Sequence, residues 1–109
     1  MIFRIKITEQ ADSDLRGIFE YIAFDLKSMQ NAKGQLSRLE DSIMKLERMP
    51  QRFCKSAQEP WQSRGLRIMP VDNYCVFYIP DEQNGVVSII RVMYGGRDIA
   101  HELQAHTKI

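Results

Sequence analysis

The sequence predicts an α+β fold in a single domain, and three observations predict it. Residues Ile2 to Ile7 alternate apolar and basic side chains with period two. Two apolar stripes of helical period follow, from Ala11 to Leu26 and from Ala32 to Leu46. Three strand-like segments joined by turn residues then fill Gly65 to Tyr94. Helices clustered before a run of hairpin-linked strands give an N-terminal strand, an antiparallel helical hairpin, and a three-stranded antiparallel meander forming one twisted sheet with the hairpin on one face. A chain of 109 residues is too short for two independent cores, so residues 1–109 are read as one domain.

In the first strand Phe3, Ile5 and Ile7 share one side and Arg4 and Lys6 the other, the pattern of a half-buried strand. Thr8 offers a side-chain oxygen as a helix N-cap, and acidic residues follow where the helix dipole favours them. Ala11, Leu15, Ile18, Ile22 and Leu26 recur at steps of three and four, with Phe19 and Ala23 widening the stripe, so the first helix is expected to reach about Lys27. Ser28 or Asn31 can cap the second helix, whose apolar positions are Ala32, Leu36, Leu39, Ile43 and Leu46 and which Pro50 stops.

Gln51 to Arg64 is polar, with Pro60 and Trp61 as landmarks, and reads as a long loop. Gly65–Val71 is expected to be a strand, Asp72-Asn73 a tight turn, and Tyr74–Ile79 the next strand. Pro80–Gly85 is expected to be a turn ending in Asn84-Gly85, a strong hairpin signal. Val86–Tyr94, rich in Val and Ile, is the most strand-like segment. After Gly95-Gly96 a short C-terminal helix is expected from Arg97 to about Leu103.

Composition narrows the function classes. No apolar run approaches the roughly 20 residues needed to cross a bilayer, and the N-terminus lacks the apolar block of a signal peptide, so a cytoplasmic protein without membrane association is expected. Two cysteines, Cys54 and Cys75, make no disulfide scaffold, and two histidines near the C-terminus assemble no zinc set. Free thiols, no metal and no cofactor are expected. The net charge of +1 implies no polyanion partner by itself. The charge is uneven, however. Glu9 to Asp25 is acidic and Lys45 to Arg67 basic, a hint of a directed surface field set against the plainer reading of scattered solvated charge.

Catalytic signatures are missing: there is no Gly-rich phosphate loop, no nucleophile elbow and no His-x-x-x-His pair. His101 and His106 lie in the polar tail and read as incidental. What remains is arginine and tyrosine on strands. Strict alternation puts Arg91 on one face with Val87, Ile89 and Met93 unless a bulge intervenes. A guanidinium among apolar residues needs a partner. It either pairs with an acidic residue of the first helix such as Asp14, the reading preferred here, or serves as a functional cation on the concave face. Arg67, between Leu66 and Ile68, faces the same choice. Asp98 is placed to cap the terminal helix and Arg97 to pair locally. Trp61 can stack a base or a partner's side chain, or fold the long loop onto the core, and the latter is preferred.

The segments Gly65-Leu66-Arg67, Val71-x-Asn73-Tyr74-x-Val76-Phe77-Tyr78 and Ile90-Arg91-Val92-x-Tyr94-Gly95-x-Arg97-Asp98 resemble the C-terminal sheet of RelE/ParE-type toxins of type II toxin–antitoxin systems. Ala11-x-x-Asp14-Leu15-x-x-Ile18-x-x-Tyr21-Ile22, Ala32, and Leu46-x-x-x-Pro50 agree in order, so the likeness spans nearly the whole chain. The resemblance implies a cognate antitoxin that wraps the toxin with a segment folding on binding. It also implies growth arrest, in plasmid-stabilisation fashion, when the toxin is free.

Two targets are implied by the two branches. ParE-like members inhibit DNA gyrase; RelE-like members are metal-independent endoribonucleases that cut mRNA on the ribosome with strand Lys/Arg residues and a terminal Tyr or His. Arg67, Arg91, Tyr94 and Arg97 would be the catalytic set of an mRNA interferase. The sequence departs from that branch at Cys75, where an arginine is usual, and at Leu66 and Ile68, where lysines are. An apolar residue cannot stabilise the charge of a phosphoryl transition state. The expectation is therefore a gyrase inhibitor, with the mRNA interferase and a non-toxic antitoxin-binding homologue as alternatives.

Overall fold

The structure, a computed structural model, describes residues 2–95 and 99–107. Its elements are β1 (Arg4–Ile7), α1 (Glu9–Glu20), α2 (Met29–Met44), β2 (Arg67–Val71), β3 (Tyr74–Asp81), β4 (Val86–Tyr94) and α3 (Ile99–His106). The meander β2-β3-β4 is antiparallel, and β1 lies beside β4 and parallel to it, giving the sheet order β1-β4-β3-β2. The N-terminal strand thus extends the meander as a parallel edge.

Thr8 caps α1 as its chemistry predicts, accepting the Ala11 N–H at 3.3 Å, and Ser28 rather than Asn31 caps α2, accepting the Asn31 N–H at 3.4 Å. The predicted stripes form the main core. Ala11 and Leu15 of α1 and Leu39, Ile43 and Leu46 of the second helical segment pack on Phe3, Met69, Val71, Val76, Tyr78, Val87, Ile89 and Val92 of the sheet. Leu39 and Leu46 are fully buried. Each such side chain contributes about 1.5–3 kcal/mol by leaving water.

Leu26 does not join the stripe. After Glu20 the helix widens into one turn over Tyr21–Asp25, in which the Leu26 N–H donates to the Tyr21 carbonyl five residues back. The extra residue rotates the stripe. Ile22 and Ala23 stay buried against Ala32, while Leu26, Tyr21 and Phe24 turn outward, 56%, 52% and 62% exposed. Ile7, expected with Phe3 and Ile5, is also exposed.

Pro80 belongs to β3, not to the turn, and pairs with Val87. The β2 ladder ends at the Arg67–Tyr78 pair, so no neighbour on that side asks Pro80 for a donor. Proline is tolerated at Pro70 for the same reason, since β2 is an edge strand. The Asp81–Val86 turn closes as its sequence predicts, with Gly85 at φ 64° and the Asp81 carboxylate accepting both the backbone N–H and the side-chain amide of Asn84.

Candidate functional site

The sheet face away from the helical hairpin is covered too. Trp61, Leu66, Phe77, Ile90, Met93 and Leu103 form a second buried cluster, with Ile68, Cys75, Ile79 and Ile99 packed against it. The long loop supplies the roof through Trp61, which is 7% exposed, so the tryptophan folds the loop onto the sheet. Within the loop Lys55 bridges Arg67 across the β2 edge, and α3 covers the remainder through Leu103. The three positions that depart from a nuclease pattern, Leu66, Ile68 and Cys75, all lie in this cluster. Burial pushes the Cys75 thiol up from its ordinary range; Cys54 is exposed.

Arg91 reaches this face because β4 carries a bulge. Phe77 pairs with Arg91 and Tyr78 with Ile89, which leaves Ile90 as the extra residue. Val87 and Ile89 therefore face the helices, Ile90 and Met93 the second cluster, and Val92 the helices again. Thr8, the N-cap of α1, and Asp14, within it, hold the bulge in place. The Thr8 hydroxyl lies 2.7 Å from the Ile89 carbonyl and 3.2 Å from that of Ile90. The Asp14 carboxylate accepts the Val92 N–H at 2.9 Å, where β1 has already ended and offers no strand partner. The same carboxylate binds Arg91 Nε at 2.6 Å and a terminal guanidinium nitrogen at 3.0 Å. Arg91 also donates to Thr107 Oγ1 at 3.0 Å, which ties the segment after α3 to the sheet. Of the two readings open from the sequence, a pairing with Asp14 or a functional cation, the pairing is the contact Arg91 makes.

Arg67 lies elsewhere. It pairs with Tyr78, which faces the helices, and donates to the carbonyls of Gln51 and Phe53 at 2.9 and 2.6 Å. The Tyr78 hydroxyl donates to the Pro50 carbonyl at 2.5 Å. Three carbonyls of the segment leaving the second helix are thereby satisfied by two side chains of the sheet. Burial pushes the Tyr78 hydroxyl up to about 12, against the opposing pull of Arg67 and Arg52.

Tyr94 is half exposed and sits edge-on to Tyr74, with ring centroids 5.8 Å apart. Together with Tyr21 these rings line an open groove of about 1150 Å³ between α1, α2 and the ends of β3 and β4. Burial raises the Tyr74 hydroxyl, and the neighbouring Tyr21 and Tyr94 add to the effect. At the rim Asp72 accepts from Arg38 at 2.8 Å and Gln35 at 3.0 Å, and the Arg38 hydrogen bond leads in holding its carboxyl low. Of the four arginine and tyrosine candidates, Arg67 and Arg91 serve opposite faces of the sheet and Tyr94 a third region. Arg97, like the expected Asp98 cap, lies outside the described residues. The sequence displays the N-cap role of Thr8 but not its bonds to the Ile89 and Ile90 carbonyls, nor the contacts of Asp72 and Tyr78, because those partners lie on distant elements that no local pattern displays.

A family model described as "ParE toxin of type II toxin-antitoxin system, parDE" matches residues 5–99. No curated protein matches significantly in sequence. Among solved structures, the chain is similar to one from the chromosomal ParDE toxin–antitoxin system of P. aeruginosa. That match has TM-score 0.69 and 16% identity, covering 85% of this chain and 96% of that one. It is similar to one from the RelBE2 toxin–antitoxin complex of Mycobacterium tuberculosis, with TM-score 0.64 and 20% identity over 86% of this chain and 99% of that one. A mutant E. coli RelE toxin in the free state matches with TM-score 0.62 and 15% identity, over 94% and 93% of the two chains. At these identities the structural likeness is one of fold.

Proposed function

This chain belongs to the ParE toxin family of type II toxin–antitoxin systems, and from that premise we propose that it arrests growth by binding and inhibiting DNA gyrase rather than by cutting RNA. As a toxin of the ParDE/RelBE type it has an antitoxin as partner, since its structural neighbours include toxin–antitoxin complexes.

One observation carries the choice of target. Leu66, Ile68 and Cys75 form an apolar floor beneath Trp61 and Leu103, where the ribonuclease reading needs cations around a scissile phosphate. The strand arginines are already engaged inside the fold, Arg91 by Asp14 and Arg67 by the carbonyls of Gln51 and Phe53. Turning either one to a substrate breaks these part-buried hydrogen bonds. Inhibition by binding asks for no proton transfer and no general base.

Purified gyrase, assayed for supercoiling with and without the protein, tests this. Loss of supercoiling at micromolar protein is the expected result; full activity overturns the reading. Primer extension on cellular mRNA after induction is expected to show no new ends.

A further inference from the structure

The four cations Arg4, Lys6, Lys45 and Arg48 lie on two segments that meet at the β1 edge of the sheet. In the register of β1 on β4, Ile5 and Ile7 align with Val87 and Ile89, which face the helices. Strand alternation therefore puts Arg4 and Lys6 on the opposite face, in line with Val86 and Ser88. The turn after α2 lies against the same strand, because the Phe3 N–H donates to the Glu47 carbonyl at 2.8 Å. Lys45 and Arg48 flank that contact.

All four side chains are exposed. Among the described residues none makes a salt bridge, whereas Arg16, Arg38 and Arg91 each have a carboxylate. The turn's own acid, Glu47, is half-buried, and Asp81, two strands away from Arg4, is engaged by Asn84.

We propose that this rim binds the phosphodiester backbone of duplex DNA, with Arg4 and Lys6 as its centre. Residues two apart on a strand are separated by about 6.6 Å, and a duplex strand carries one phosphate per about 3.4 Å of axis. The two cations thus lie along a stretch of backbone that offers them separate phosphates, with Lys45 and Arg48 extending the contact. The inference rests on the gyrase reading, which brings the toxin to an enzyme that holds duplex DNA, and it names the second surface met there.

Binding of a short labelled duplex by the purified full chain, followed by fluorescence anisotropy over a salt series, tests the rim without gyrase present. The plot of log K against log salt should lose about 2 in slope in the Arg4→Gln/Lys6→Gln variant, from about 0.9 per phosphate contact. Lys33→Gln/Lys55→Gln changes net charge equally and should leave the slope in place; Arg4→Lys/Lys6→Arg should preserve it. No binding at low salt, equal losses in both neutralised variants, or displacement by polyglutamate as readily as by duplex would each overturn the proposal. Supercoiling assays on the same preparations keep the two readings apart. Inhibition without DNA binding sinks only the rim, and DNA binding without inhibition sinks only the gyrase reading.

Discussion

The Asp14 carboxylate grips the Arg91 guanidinium at 2.6 and 3.0 Å and at the same time accepts the Val92 N–H at 2.9 Å. One side chain of the first helix therefore neutralises a buried cation and completes the hydrogen bonding of β4 beyond the end of β1. The arginine is 9% exposed and the aspartate 17%, so solvent screens the pair little.

Removing one member of such a pair leaves the other's charge in place without the carboxylate–guanidinium contact, which costs about 3–5 kcal/mol. Arg91→Ala and Asp14→Ala are both expected to lose that much, measured as a fall in the urea midpoint. Asp14→Asn keeps an acceptor for the Val92 N–H and should lose less. A double-mutant cycle should show strong coupling, and additive losses would count against the pairing. Loss of toxicity in Arg91→Ala should track loss of folded protein; a stable, non-toxic Arg91→Ala would favour an active-site role.

Arg67 anchors the segment between the second helix and β2 through Gln51 and Phe53. Hydrogen bonds to a charged donor contribute about 1.5–3 kcal/mol. Arg67→Ala should weaken the fold by that order and raise hydrogen exchange in residues 50–56 first. If exchange there stays at the wild-type rate, the anchoring role is refuted.

The sequence displayed what is local and hid what is not. Period-two and helical spacing gave both helices and all four strands, and the chemistry of Thr8 and Ser28 marked where the helices begin. A guanidinium on an apolar strand called for an acidic partner, and Asp14 could be named. The bulge at Ile90 was open to suspicion only, because its cause is Thr8 and Asp14 reaching across from the first helix. Leu26 left the stripe because one wide turn shifted the phase, a change that spacing alone does not record. The acceptors of Arg67 and Tyr78 are backbone carbonyls, and every residue carries one, so composition could not single them out.

Tyr78 makes stability sensitive to alkali. Its hydroxyl ionises at about 12 in the folded chain against 10.0 ordinarily, because burial disfavours the phenolate. A folded value above the unfolded one means the stabilisation is whole below pH 10 and is lost as pH rises toward 12. The difference corresponds to about 2–3 kcal/mol. Tyr78→Phe should be less stable at neutral pH, since the Pro50 carbonyl loses its donor, but should show a shallower alkaline decline, because the Tyr78 share of it is gone while that of Tyr74 remains. Unfolding midpoints of both proteins between pH 8 and 12, converging toward the upper end, are the expected result; parallel curves would refute it.

Thr8 has three partners at the point where β1, α1 and the β4 bulge meet: the Ala11 N–H and the carbonyls of Ile89 and Ile90. Losing an N-cap costs about 0.5–2 kcal/mol, and the carbonyls it releases add to that. Thr8→Val keeps the shape and removes the hydroxyl, so it should destabilise by about 1–2 kcal/mol. Thr8→Ser retains the hydroxyl and should stay near wild type. The bulge holds Arg91 against Asp14, so Thr8→Val should also weaken the coupling measured between those two residues. A Thr8→Val protein with undiminished Asp14–Arg91 coupling would show that the bulge stands without the threonine.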